Sequence, residues 1–252
     1  VVQRPALGAA PGEVARLQQR LPDAGRATFR WLVEELLPGD RVAVLAWNGE
    51  LVLLQDFSRD RRAAGEALER AASGRVEAGR WPSRYASEEQ PSTLADALGS
   101  GLAAPADATL VDVLPLLAGA LRGVAGRKNL LLLGDDLPRP GGPDDDGAFA
   151  RAEQALNEAN VAVYAVGLIG RGRQEGADRL ARVTGGESFY RAASVLDPLR
   201  AVARQTSGYY LLGVALPAED AAGGYHPLLV RTRDPQLRVR ARTGFAAGGG
   251  EG

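Results

Sequence analysis

The chain has no cysteine and no methionine among its 252 residues, a single histidine, and a single lysine, Lys128. Without cysteine there are no disulfides, no thiolate metal sites and no cysteine nucleophile. Formal net charge is −1, so no long-range field recruits nucleic acid or an anionic membrane. Every basic side chain other than Lys128 is arginine, and the arginines are scattered. That distribution reflects a GC-rich coding bias rather than arginine-specific chemistry. No apolar run approaches the ~20 residues that span a bilayer, so no membrane insertion by this segment is expected. The chain opens Val1-Val2-Gln3 without a methionine, and the expectation is of a processed or excised segment whose leader, if any, lies upstream.

What the chain does have is ordinary globular composition, 45% hydrophobic and 24% charged, and enough length to bury roughly three quarters of its unfolded surface. Its most informative stretch is Asn129-Leu130-Leu131-Leu132-Leu133-Gly134-Asp135-Asp136. Four leucines without polar alternation suit a central parallel strand covered by helices on both faces. Ligands in open α/β sheets gather at the carboxyl ends of the strands, so a strand that delivers Asp135 and Asp136 to that edge points to a cation site.

Apolar strand patterns alternate with helical ones, which predicts an α/β architecture with a largely parallel sheet. Residues 23–37 read as a helix capped by Asp23, with Phe29, Leu32, Val33, Leu36 and Leu37 on one face. Pro38-Gly39-Asp40 ends it. Residues 41–47 form a strand, and Asn48-Gly49 turns it into an antiparallel partner at 51–55. A helix follows at 60–72. Residues 74–106, with Trp81-Pro82 and Pro91, read as short helical pieces in an irregular crossing. Further helices are expected at 110–124 despite Pro115, at 144–160, at 177–183 and at 194–205, with strands at 161–167 and 187–190. From Gly208 the texture changes, and 209–216, 225–233 and 237–243 read as antiparallel strands. Tyr210, Leu212, Val214 and Leu216 fall at period two, so that face requires cover from the body.

Several phrases, in this order, resemble the von Willebrand factor type A (VWA) domain, and more narrowly the bacterial VWFA-related proteins. They are Pro38-Gly39-Asp40-Arg41-Val42-Ala43-Val44, Leu54-Gln55-Asp56-Phe57, Arg127-Lys128-Asn129-Leu130 and the strand ending at Asp135. Val161-Ala162-Val163-Tyr164-Ala165-Val166-Gly167, Thr184-Gly185-Gly186-Glu187-Ser188-Phe189-Tyr190, Gly208-Tyr209-Tyr210-Leu211-Leu212-Gly213 and Arg242-Thr243-Gly244-Phe245 complete the set. The resemblance implies a doubly wound, largely parallel sheet of VWA (Rossmann-like) type with an antiparallel β extension at the C-terminus. Residues 1–206 would be the α/β domain with a truncated or degenerate first strand, 207–245 appended strands packed on it, and 246–252 a flexible tail. It also implies export: periplasmic, cell-surface or secreted.

The family carries a metal-ion-dependent adhesion site built from Asp-x-Ser-x-Ser after the first strand, a threonine from a middle loop and an aspartate after the leucine-type strand. Such an oxygen set suits Mg²⁺ or Ca²⁺. Asp-x-Ser-x-Ser is absent from this chain. If Val1-Val2 ends the first strand, the equivalent positions are Gln3, Pro5 and Leu7. The family threonine lies four residues ahead of the aspartate that here is Asp112, which puts Ala108 in its place and Thr109 one step off. Asp135 alone matches cleanly. Asp135 and Thr109 are therefore the remnant metal positions, and no bound cofactor is expected, with Mg²⁺ or Ca²⁺ as the alternative. The Asp144-Asp145-Asp146 run reads as a helix start complementing its dipole.

Other motifs carry less. Gly170-Arg171-Gly172-Arg173-Gln174-Glu175-Gly176 lacks the Gly-x-Gly-x-x-Gly spacing and follows a late strand, so it reads as a solvated loop. No Gly-x-Ser-x-Gly elbow accompanies His226, which reads as a surface or strand residue. Tyr209-Tyr210 reads as one inward and one outward strand residue, and Trp31 and Trp47 as core. The expected function is a non-enzymatic protein-binding or scaffold module with a degenerate metal edge and an unidentified protein partner. The alternatives are a metal-competent domain that binds an acidic partner residue through the ion, and an α/β enzyme or nucleotide binder sharing the topology.

Overall fold

The computed structural model describes residues 1–3, 11–75, 94–98, 102–103, 108–135, 137, 143–169, 174–190, 194–210, 212–213, 215–216 and 223–247. Its strands form where apolar runs need two-sided cover. They are β1 (Val2–Gln3), β2 (Val42–Trp47), β3 (Glu50–Ser58), β4 (Leu102–Ala103), β5 (Lys128–Leu133), β6 (Val161–Val166) and β7 (Glu187–Phe189). Together they build one seven-stranded sheet in the order β4-β3-β2-β1-β5-β6-β7. Strands β2, β1, β5, β6 and β7 are mutually parallel. The turn at Asn48-Gly49 sends β3 back antiparallel to β2, and β4 pairs antiparallel with β3.

Helices cover both faces. On one side α1 (Pro11–Glu34), α2 (Arg61–Ser73) and α7 (Leu196–Thr206) close over Val44, Ala46, Leu133, Tyr164 and Val166. On the other, α3 (Leu94–Leu98), α4 (Leu110–Leu121), α5 (Pro143–Glu158) and α6 (Glu175–Thr184) close over Leu45, Leu130, Leu132, Val161 and Val163. All six residues of β6 are buried, odd positions to one helical layer and even positions to the other, as period-two alternation requires. The architecture is doubly wound α/β and Rossmann-like.

Three sequence expectations are corrected. The first helix begins at Pro11 rather than Asp23 and runs through Pro22. Asp23 is therefore a mid-helix residue, ion-paired with Arg26. The buried stripe of α1 is Leu17, Leu21, Ala24, Thr28, Trp31 and Leu32, whereas Phe29, Val33 and Leu37 are exposed. A threonine hides inside the apolar stripe because its hydroxyl donates to Ala24 O at 2.7 Å, one turn back.

The second correction concerns the tail. An antiparallel pair is present, but it consists of β8 (Gly224–Pro227) and β9 (Gly244–Ala247). The described residues within 209–216 and 237–243 lie outside any strand. Tyr210 is 96% exposed and Leu212 66%, so the expected cover for that face is not provided by the body, and Tyr209 and Tyr210 both face out. Third, Ala246 and Ala247 pair with Tyr225 and Gly224, so β pairing extends into the stretch read as a flexible tail.

The hairpin is tied to the α5–α6 side. Asn157 Nδ2 donates to Tyr225 Oη at 2.9 Å, Arg242 to Asn157 O at 3.1 Å, and Thr243 N–H to Val183 O at 2.9 Å. His226 stacks on Phe245 with ring centroids 5.4 Å apart, a structural role in keeping with a strand residue. Trp31 and Trp47 are buried in the core. Trp81, Pro82 and Pro91 lie outside the described residues, and the crossing they belong to is described only at α3 and β4.

The Thr184-Gly185-Gly186 phrase fastens α6 to β6. The Thr184 hydroxyl accepts the Val163 N–H at 2.9 Å, and a Cβ on Gly186 would lie 1.9 Å from Val163 O. Only glycine allows that approach. Gly186→Ala is expected to cost about 3 kcal/mol through forced backbone displacement, read as a lowered urea midpoint. An unchanged midpoint would contradict the close approach.

Candidate functional site

Connections leave β1 toward β2 and arrive at β5 on its other side, so the strand order reverses between β1 and β5. The carboxyl ends of these two strands form the switch point where open α/β sheets place ligands. Gln3 ends β1 there, Gly134 and Asp135 follow β5, and Thr109 stands at the start of α4, which runs back toward the amino end of β5.

Gly134 lets the two strand ends meet. Its φ is +149°, and a Cβ would lie 2.5 Å from the Gln3 Cβ. Gln3 is itself buried. Gly134 and Gln3 thus pack closely at the point where the resemblance implies an acidic cluster.

Asp135 sits directly after the central strand, as its sequence position implies, but its carboxylate is already engaged. Oδ2 accepts the N–H groups of Leu168 at 2.7 Å and Ile169 at 2.9 Å, and Oδ1 accepts from Gln174 Nε2. Three of its roughly four acceptor positions are taken. Burial pushes the carboxyl above its ordinary pKa, against the lowering effect of the Ile169 and Leu168 N–H groups and of Gln174. The residue acts as a clamp between the end of β5 and the chain leaving β6.

Thr109 is the N-cap of α4, and its N–H and hydroxyl both donate to the Asp112 carboxylate at 2.8 Å. The described interactions join Asp135 to the β6–α6 connection and Thr109 to its own helix, and none joins the two. A Mg²⁺ or Ca²⁺ ion takes about six to eight oxygens, and the described residues, as arranged, do not fit one. Among the described residues no three acidic or histidine side chains converge as a metal cluster. Asp136, Pro5 and Leu7 lie outside the described residues. So do the side chains of Asp144 and Asp145, while Asp146 pairs with Arg179 at 2.7 Å.

Sequence reasoning missed Gln174 and the two loop N–H groups that saturate Asp135. It also missed another carboxylate that grips backbone, this one fully buried. Asp56, at the sheet's other side, accepts from the N–H groups of Phe57 at 2.6 Å, Leu94 at 3.1 Å and Ala95 at 3.2 Å, and so fixes the start of α3. Backbone donors have no sequence signature. The one available signal was an acid just after a run of apolar strand residues, 51–54 before Asp56 and 130–133 before Asp135.

No protein-family model matches the chain, and no curated protein matches it.

Asp135→Ala leaves two backbone donors without their acceptor and is expected to destabilise by about 1–3 kcal/mol. Because the folded pKa is raised, the residue's contribution is fullest below the unfolded carboxyl pKa and declines as pH rises through the folded value. The loss on substitution should therefore be larger on the acid side. A variant as stable as the parent across that range would mean the carboxylate is free for a ligand.

Proposed function

We propose that the chain is a non-enzymatic protein-binding or scaffold module of VWA type whose metal edge has degenerated. The observation that carries this reading is the use of Asp135. The position that the family resemblance gives to an ion ligand is here a partly buried hydrogen-bond clamp on Leu168, Ile169 and Gln174. A strand order that reverses at β1 is in keeping with the same resemblance. On this reading 1–206 is the VWA-like α/β domain and 207–245 an extension attached to it, and the resemblance implies export to the periplasm, the cell surface or the medium.

A contact surface free of metal needs exposed apolar side chains. Tyr209, Tyr210, Leu212, Leu229, Leu237 and Val239 supply them on the extension. The partner expected is a protein that buries this surface, with no ion between the two.

Two measurements test the reading. Calorimetry with Mg²⁺ and Ca²⁺ should give no affinity better than roughly millimolar, the weak end of natural Ca²⁺ sites. Partner capture from the source cells should survive chelator and be lost in the Tyr210→Ser, Leu212→Ser double variant. That variant's stability should stay within about 0.5 kcal/mol of the parent, as for exposed sites generally. Capture abolished by chelator would replace this reading with the metal-bridged one.

A further inference from the structure

Scattered over most of the chain, the arginines crowd at one place outside the main sheet. Residues 228–243 hold Arg231, Arg233, Arg238, Arg240 and Arg242 against one acid, Asp234, in a chain whose net charge is −1. Asp234 builds a turn: its carboxylate accepts the Gln236 N–H at 2.9 Å and its carbonyl the Leu237 N–H at 3.2 Å. Arg240 pairs with Glu187 at 3.0 Å, and Arg242 donates to Asn157 O at 3.1 Å. Arg231, Arg233 and Arg238 are exposed and have no partner among the described residues.

The turn and the base of this loop are both formed, yet the section between them is open. β8 and β9 pair as far as Pro227 with Gly244, and the Leu228 N–H still donates to Thr243 O at 2.7 Å. Beyond that bond, 229–233 and 238–242 lie outside any strand. Continuing the β8–β9 register sets Arg231 opposite Arg240 and Arg233 opposite Arg238. The bonds at Leu228 and Leu237 put the hydrogen-bonded pairs at Val230 with Ala241 and Thr232 with Val239. Both arginine pairs therefore take the non-hydrogen-bonded positions, where side chains stand closest. Like charges opposed there are destabilising. Repulsion among four arginines accounts for the open section, and carboxylates brought between them would close it.

We propose that these arms bind an extended segment of a partner protein in which carboxylates alternate with apolar residues, and that binding completes the hairpin. The described bonds to the body come from the arm at 237–243, through Arg240, Arg242 and the Thr243 N–H on Val183 O at 2.9 Å. That leaves the arm at 228–233 as the open edge for strand addition. In the continued hairpin Arg231, Arg233, Arg238 and Arg240 share one face, with Val230, Thr232 and Val239 on the other. An added strand with carboxylates on the first face meets the guanidiniums in charge-assisted pairs, and its apolar residues extend the second. A long nucleic acid suits the arms less, because the rest of the chain carries more acidic than basic residues and repels a polyanion. A short acidic strand needs only the local charge, within a Debye length of about 8–10 Å. This inference rests on the reading of the extension as the partner surface and names the chemistry that surface takes.

The test uses the 252-residue chain and labelled peptides that alternate valine with glutamate, glutamine or lysine, beside a single-stranded DNA oligonucleotide of the same charge as the glutamate peptide. The glutamate peptide should bind about tenfold tighter than the other probes, and lose about that factor in the Arg231→Gln, Arg233→Gln double variant. On binding, amide exchange should slow at Val230 and Val239, which bond across the closed hairpin, and at Arg231, whose N–H points toward the added strand. In the double variant without peptide, Val230 and Val239 should slow while the amide at position 231 stays fast. Equal binding of the glutamate and glutamine peptides would overturn the proposal. So would equal binding of the oligonucleotide, which would make the arms a general polyanion site, and so would exchange at Val230 and Val239 that neither peptide nor variant changes. If chelator-resistant capture is lost in Tyr210→Ser, Leu212→Ser but no peptide binds, the binding-module reading stands and this inference falls.

Discussion

At the carboxyl edge of the sheet, one partly buried carboxylate grips the backbone leaving the next strand. Asp135 reaches from the end of β5 to the N–H groups of Leu168 and Ile169, 33 and 34 residues further along the chain. With Gln174 on its other oxygen, it fixes the path from β6 into α6, and α6 in turn is locked on β6 through Thr184 and Gly186. Gly134 brings the same edge against Gln3. A carboxylate desolvated to this degree is tolerable because the donors are pre-aligned. A dication in its place would have to displace those donors and find further oxygens, which the described side chains do not supply.

The two ends of the sheet are therefore built differently. At the switch point Gln3 of β1 packs closely against Gly134. At the amino end the described residues line a concave space with apolar walls.

Much of this was legible from the sequence where a single periodicity dominates. The leucine run at 130–133 and the apolar run at 161–166 became β5 and β6, and Asn48-Gly49 turned β2 into β3, because each signal is local and tertiary packing agrees with it. The register of α1 was not legible. Thr28 satisfies its own hydroxyl and passes as core, and Pro22 sits inside a helix whose flanking Leu17 and Leu21 are anchored by packing. In the tail, alternating tyrosine and leucine signalled a strand, yet pairing partners and cover decide strands, and residues 209–216 have neither among the described contacts. For the site, the position of Asp135 could be read, but its role could not, since that depends on distant backbone donors.

The most direct measurement of the account is a carboxyl-carbon NMR titration of Asp135 with and without several millimolar Mg²⁺. A buried clamp predicts a pKa above the ordinary carboxylate range that the ion leaves unmoved, as desolvation dominates it. A pKa that falls when Mg²⁺ is added would contradict the clamp and restore Asp135 as a metal ligand.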